Sequence, residues 1–279
     1  MSGLIEPTGG IHRFVDSCFE SYTSKDQEKN NQIADQIKQR LKNINLIENQ
    51  EQPTTENDDH LEIENETVKP TPFGCAIAAS SMSIEEGLEL KESIDRLQEN
   101  LCLQDDVHLL YLCIPPSAIQ IQSTPDYENN IWMKLRAKHQ KVFNLITQFD
   151  SNGFERHVVM TMRNGGKRNN VRTSAEMAVH DRELDRFFYA CLLQKLIAEK
   201  PVNKIVEKFD VTRGSVQMLQ MTAATFAGQS VRFCETTGCT TLSRALNTFR
   251  ERLNFGVKNE LLPLMKLPSC NRYTARILV

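Results

Sequence analysis

From Gly214 to Glu235 the chain carries no proline and repeats its apolar residues every three or four positions. Val216, Leu219, Ala223, Phe226, Ser230 and Phe233 fall on one side of a helix and form a seam that can pack on a core. The other side holds Gln217, Gln220, Ala224 and Gly228, with Arg213 and Arg232 at its two ends. That side is small and uncharged, so a second helix or a nucleic-acid strand can come close to the backbone. A further helix is predicted over Thr241–Met265, with Pro263 near its end. Two long helices in succession point to a mostly α chain.

The upstream pattern agrees. Gly9–Thr23 and Asp26–Ile44 both show helical spacing, the second through Ile33, Ile37, Leu41 and Ile44. Asn49–Asp59 is polar and reads as a loop, Leu61–Glu64 alternates like a short strand, and Pro70-Thr71-Pro72 breaks the chain. Helices are then predicted at Ile84–Leu101, Val107–Leu112, Ile131–His139, Lys141–Phe149, Glu155–Met162, Ala175–Lys200 and Val202–Phe209. Ser83 with Glu86 three residues on is a capping-box signature. Helix, helix, loop and strand within 1–72 suggest a partial winged-helix module, followed by a helical bundle over 73–267.

Composition narrows the class. Forty per cent hydrophobic and 25% charged residues are ordinary for a globular chain. No apolar run approaches a membrane span, so no membrane partner is expected. The eight cysteines are scattered without a C-x-x-C pair, which argues for reduced thiols rather than a disulfide framework or a zinc site. Charge is divided unevenly. Residues 1–72 hold 7 Lys+Arg against 14 Asp+Glu, 73–149 hold 6 against 10, and 150–279 hold 20 against 12. A basic C-terminal half on an acidic chain is what a phosphate-facing region needs, or simply a solvated basic surface.

Three stretches carry a resemblance: "FGCAIAASSMSIEEGLEL", "LQDDVHLLYLCIPP", and "VTRGSVQMLQMTAATFAG" followed by "LNFGVKNELLPLM". In this order and spacing the chain resembles the C-terminal region of Ski2-like superfamily 2 DNA-repair helicases, the HELQ and DNA polymerase theta helicase group. The resemblance implies a winged helix over 1–72 lacking its first helix, and a ratchet-type helical domain over 73–267. Residues 268–279 would be the truncated start of a helix-hairpin-helix. It also implies that the long helix touches a translocating single strand. Archaeal relatives present an arginine and a tryptophan there, where this chain aligns the neutral Met218 and Thr225. Partners implied are single-stranded or forked DNA, together with a helicase motor or DNA-repair proteins, in the nucleus.

The most basic segment, Arg156 to Ala175, includes Arg163, Lys167, Arg168 and Arg172 and no acidic residue. With Gly165-Gly166 and Asn169-Asn170 it reads as a loop suited to sequence-independent phosphate contacts. These four residues, with Arg213, Gln217, Gln220 and Arg232, are the candidate DNA ligands. Arg182 and Arg186, interleaved with Asp181, Glu183 and Asp185, read instead as intrahelical ion pairs. Asp105 or Asp106 reads as a helix cap, and His108 has no nucleophile spaced to join it. No catalytic residue, metal ligand or cofactor site is assigned.

The expected function is a DNA-binding accessory region that guides a strand past a motor. The alternatives are a protein-interaction or regulatory fragment that does not bind DNA, and part of a full-length ATP-dependent 3′–5′ helicase. A phosphate-cradling G-x-x-x-x-G-K-[ST] loop is absent, and Gly165-Gly166-Lys167-Arg168 has the wrong spacing. ATP and Mg²⁺ would be held by motor domains outside this chain. The chain alone is therefore expected to show no DNA-stimulated ATPase. Turnover above background that a substitution in this chain abolishes would overturn that expectation.

Overall fold

The computed structural model describes residues 27–49, 68–98, 106–116, 131–147 and 175–279. The helix expected over 9–23, the strand over 61–64 and the helix over 155–162 lie outside them. The described part is mostly helical, with one two-stranded sheet. The chain divides into two compact units, Met1–Ala79 and Ser80–Val279.

In the first unit α1 (Gln27–Asn43) closes on a left-handed Asn45, φ 57°. The Leu46 amide reaches back to the Leu41 carbonyl at 2.9 Å, the helix-ending arrangement that Asn tolerates in place of Gly. Strands β1 (Ile47–Asn49) and β2 (Val68–Pro70) pair antiparallel, with Ile47 opposite Pro70. A further helix, α2 (Pro72–Ser80), is absent from the sequence reading. Its start is nonetheless written locally: Pro72 opens it, and the Thr71 hydroxyl accepts from the Gly74 amide at 3.0 Å. The same hydroxyl donates to the Asn45 carbonyl at 2.6 Å. Gly74 lies so close to the Leu46 carbonyl that a Cβ there would clash with backbone.

The second unit is built of α3 (Ile84–Gln98), α4 (Asp106–Leu112), α5 (Ile131–Lys138), α6 (Gln140–Ile146), α7 (Ala175–Ile197), α8 (Val202–Phe209), α9 (Arg213–Thr236), α10 (Thr240–Phe255), α11 (Leu262–Met265) and α12 (Arg272–Leu278). Ser83 and Glu86 form the expected capping box, each side chain bonding the other's amide at 3.1 Å. Helix α7 is the axis. From Leu184 to Ile197 nearly every side chain is buried, Phe187, Phe188 and Leu192 among them. A helical stretch buried on most of its circumference must be covered by several neighbours. It touches α4, α5, α6, α8 and α10. Phe187 meets Phe143 of α6 edge-on at 5.1 Å, and Phe188 meets Phe209 of α8 at 5.2 Å.

Three expectations change. The Thr241–Met265 helix is cut at Gly256, which takes φ 64° while its amide bonds the Arg252 carbonyl at 2.8 Å. A 3₁₀ turn (Asn259–Leu261) and the short α11 complete the stretch. Among the described residues Arg182 and Arg186 find their partners outside α7: Arg182 meets Glu89 of α3 at 3.9 Å. Arg186, 4% exposed, lies 4.1 Å over the Tyr111 ring of α4 and donates to its hydroxyl and carbonyl, both at 3.3 Å. The buried Glu183 meets Arg96 of α3 at 3.6 Å. Asp106, the first residue of α4, accepts from Arg252 of α10 at 3.1 Å, so its carboxylate is used between helices. Asp105 lies outside the described residues.

Helix α12 is held by charge. Arg276 donates to Glu199 at 2.6 and 2.9 Å and to Glu260 at 2.7 Å, and Glu199 also accepts from the Lys258 amide at 3.0 Å. Burial raises the Glu199 carboxyl, but Arg276 and the Lys258 amide together outweigh it and hold it below its ordinary value. A depressed carboxylate stabilises above its unfolded value, about 4.3, and that stabilisation is lost as pH falls through the lower folded value. Amide protection in α12, corrected for the intrinsic exchange rate, should therefore be high at neutral pH and fall on acidification. Glu199→Gln should exchange faster at neutral pH and lose most of this pH dependence. Identical exchange in parent and variant would show that the clamp contributes nothing.

Candidate nucleic-acid interface

Helix α9 starts at Thr212, whose hydroxyl accepts from the Ser215 amide at 3.1 Å, and runs for 24 residues. The apolar seam is as the sequence implies: Val216, Leu219, Ala223, Phe226, Ser230 and Phe233 are all buried. The flank beside the seam is also packed, against α10. Gln220 donates its amide to the Leu253 carbonyl at 2.6 Å, serving one of the last carbonyls of α10. Ala224 is buried, and a Cβ on Gly228 would stand 3.3 Å from the Arg250 side chain. The small residues Ala224 and Gly228 thus serve a helix–helix contact.

This revises the expected ligand set. Gln220, expected to face a strand, holds α10 instead. Arg213, Gln217 and Arg232 stay exposed. Between them the open side of α9 consists of Met218, Met221 and Thr225, with Met218 54% and Met221 72% exposed. The Thr225 hydroxyl donates to the Met221 carbonyl at 3.0 Å, so it presents its methyl group outward. Arg213 and Arg232 stand about 28 Å apart along the helix at ~1.5 Å per residue. The open stripe is therefore neutral and partly apolar in the middle and cationic at the ends. Arg163, Lys167, Arg168 and Arg172 lie outside the described residues.

Residue pattern alone did not single out the two methionines as an exposed pair. Their helical angle placed them opposite the seam, but only the position of α10 separates the open side from the packed flank. Gln229, at the edge of the stripe, donates to the Ser81 carbonyl at 3.0 Å and ties α9 to the chain just before α3. A bulky side chain at position 228 tests the division. Gly228→Trp should destabilise the second unit by about 1–3 kcal/mol through overpacking against α10. Met221→Trp, on the open side, should leave stability within about 0.5 kcal/mol. Denaturant unfolding checks both, and equal losses would contradict the assignment of faces.

Known proteins bear on this arrangement. The family model described as the DNA_pol_Q helicase like region helical domain matches residues 85–253. DNA polymerase theta of Drosophila melanogaster is 30% identical over 210 residues, 75% of this chain and 10% of that protein. DNA polymerase theta of Mus musculus is 29% identical over 209 residues, 75% of this chain and 8% of that protein. ATP-dependent DNA helicase Hel308 of Pyrococcus horikoshii is 34% identical over 96 residues, 34% of this chain and 13% of that protein. The aligned stretches span about a tenth of the length of these relatives. The family match covers more than half of this chain and takes in α3 to the last turns of α10, the helices that enclose α7 and carry the open stripe. The chain therefore belongs to the family of the helical domain of the DNA polymerase theta helicase-like region.

Proposed function

We propose that this chain is the DNA-binding accessory region of a DNA-repair helicase of the HELQ and polymerase theta group. It acts in the nucleus and guides single-stranded or forked DNA by backbone contacts. The motor that would bind ATP and Mg²⁺ lies outside it. The observation that carries this reading is the open stripe of α9, a rigid rod packed on its other sides with an arginine at each end. Arg213 and Arg232 suit phosphates, since guanidinium binds them through charge and paired hydrogen bonds. Met218 and Met221 offer soft, polarizable surface that adapts to any base. Met218 and Met221 carry no donor for a base edge and the Thr225 hydroxyl is used within the helix, so the middle of the stripe reads no sequence. The basic segment with Arg163, Lys167, Arg168 and Arg172 adds phosphate contacts on this reading.

One observation favours a second reading. Exposed methionines also mark surfaces that accept varied protein helices. On that view the stripe docks a helicase motor or a repair protein and does not meet DNA.

Salt dependence separates the two. Each neutralised phosphate of a single strand contributes about 0.7 to the slope of log affinity against log salt. Replacing Arg213 and Arg232 with alanine should weaken oligo-dT binding and flatten that slope by about 1.4, measured by fluorescence anisotropy. Replacing Arg163, Lys167, Arg168 and Arg172 together should flatten it further. A parent chain that binds no single-stranded DNA, or variants that bind as the parent does, would refute the DNA reading and leave the docking one.

A further inference from the structure

A second cationic feature lies away from the α9 stripe, between α5, α7 and the end of α8. It is a cavity of about 540 Å³ with Lys134, Lys138, Lys195 and Lys208 on its walls. Lys134 and Lys138 are one turn apart on α5, Lys195 stands in the last turn of α7, and Lys208 in the last turn of α8. Glu207 and Asp210 also line it, so the walls carry four ammonium groups against two carboxylates. Yet among the described residues none of the four lysines is ion-paired. Lys195 donates to the Gln194 side chain at 3.1 Å, the Lys138 ammonium stands beside it as a like charge, and Lys208 lies 5.9 Å from the Phe209 ring. The floor is apolar, formed by the buried Leu135, Phe188 and Phe209.

Two ammonium groups lining one cavity repel one another unless an anion lies between them. Burial first, and then the neighbouring Lys138 and Lys208, push Lys195 down to about 8. One structural cause accounts for part of the gathering of lysines here: those in the last turns of α5, α7 and α8 also complement the carbonyl ends of those helices. That does not explain why their side chains converge on one cavity, or why Glu207 and Asp210 leave the pair unbridged. The volume falls within the ~300–1,000 Å³ typical of small-molecule sites, far more than a simple ion needs. An apolar floor beneath a surplus of two positive charges suits a ligand with a flat apolar body and a doubly charged group. A phosphate monoester carries about −1.5 to −2 at neutral pH, and lysine binds phosphate as a point charge.

We infer that the cavity between α5, α7 and α8 binds the phosphate of a nucleotide, with Lys138 and Lys195 bridging the phosphate oxygens and Phe188 and Phe209 beneath the nucleoside. The nucleotide is either free or the 5′-phosphorylated end of a strand. The inference does not rest on the role of the α9 stripe, because it shares no residue with it.

The test uses the whole chain and four probes: deoxyadenosine 5′-monophosphate, deoxyadenosine, and an oligo-dT with or without a 5′-phosphate. Lysine side-chain nitrogens are followed by NMR. The Lys195 titration near pH 8 should move upward on saturation with the monophosphate and stay in place with deoxyadenosine. Lys195→Met and Lys138→Met should each weaken monophosphate binding at least tenfold. Lys258→Met, on an exposed turn outside the cavity, and the alanine replacements of Arg213 and Arg232 should leave it unchanged. Should Lys195→Met fail to fold, the exposed Lys138 variant and the parent titration still decide the matter. Competition by the phosphorylated oligonucleotide but not the unphosphorylated one assigns the site to a strand end; binding of the monophosphate alone assigns it to a free nucleotide. A Lys195 titration that the monophosphate does not move, or an equal loss of binding in Lys258→Met, would overturn the site and leave the lysines as complements to three helix ends.

Discussion

The second unit depends on the burial of α7. From Leu184 to Ile197 all its side chains but Asp185, Gln194 and Lys195 are buried. Burial of large apolar side chains contributes about 1.5–3 kcal/mol each, so this stretch is a major local source of stability. It also dictates the arrangement: α4, α5, α6, α8 and α10 each cover part of it. Helix α9 does not need to touch α7 extensively. It packs on α10 and α8, so it forms an outer layer whose far side stays open. The site thus follows from the core. A central helix with one polar face would have left α10 free to rotate, and with it the exposed side of α9.

Charged groups at the edge of that core fix the register of helices around α7. Arg186 is nearly enclosed, but its guanidinium stacks on Tyr111 and bonds that residue's hydroxyl and backbone carbonyl. Burial pushes the Tyr111 hydroxyl up, against the opposing pull of Arg186, so it stays protonated. A buried charge with such partners adds little net stability, yet breaking one partner is costly, by about 3–5 kcal/mol. The pairs Glu183 with Arg96 and Arg182 with Glu89 bind α3 to the same end of α7. Sliding α3 or α4 by one turn would strand these groups. An apolar interface alone would tolerate that slip more easily.

The parts legible in the sequence are those whose cause is local. The Ser83–Glu86 capping box, the bounds of α8 between Pro201 and the left-handed Asp210, and the buried seam of α9 needed only neighbouring residues. What was not legible depended on other elements. Helix α2 is apolar throughout, PFGCAIAAS, so it shows no periodicity, although Thr71-Pro72 marks its start. The end of α10 at Gly256 could not be told from a helical glycine without its left-handed φ. Arg182 and Arg186 had acidic neighbours in sequence, but their partners are on α3 and α4. For the candidate interface, sequence placed Arg213, Gln217 and Arg232 correctly on a polar side. It could not divide that side, because Gln220, Ala224 and Gly228 are equally suited to a strand or to α10. Likewise Lys138, Lys195 and Lys208 are far apart in the chain, and only the meeting of α5, α7 and α8 joins them.

The division of α9 matters for how such a helix could serve a moving strand. Its packed sides are fixed by the Phe226 and Phe233 seam, by the Gln220 bond to α10 and by the Gln229 bond to Ser81. The rod is therefore rigid, and only its side chains can adapt. A strand that must pass along a surface is poorly served by deep pockets or strong stacking, since each would trap one position. Met218 and Met221 have flexible, weakly interacting side chains, and Thr225 turns its hydroxyl back to its own helix. On the proposed reading these residues leave the middle of the path shallow in energy, with Arg213 and Arg232 holding phosphates only at its ends. A cationic middle would bind more tightly but would add about 0.7 to the salt slope for every phosphate held, and each must be released for the strand to advance.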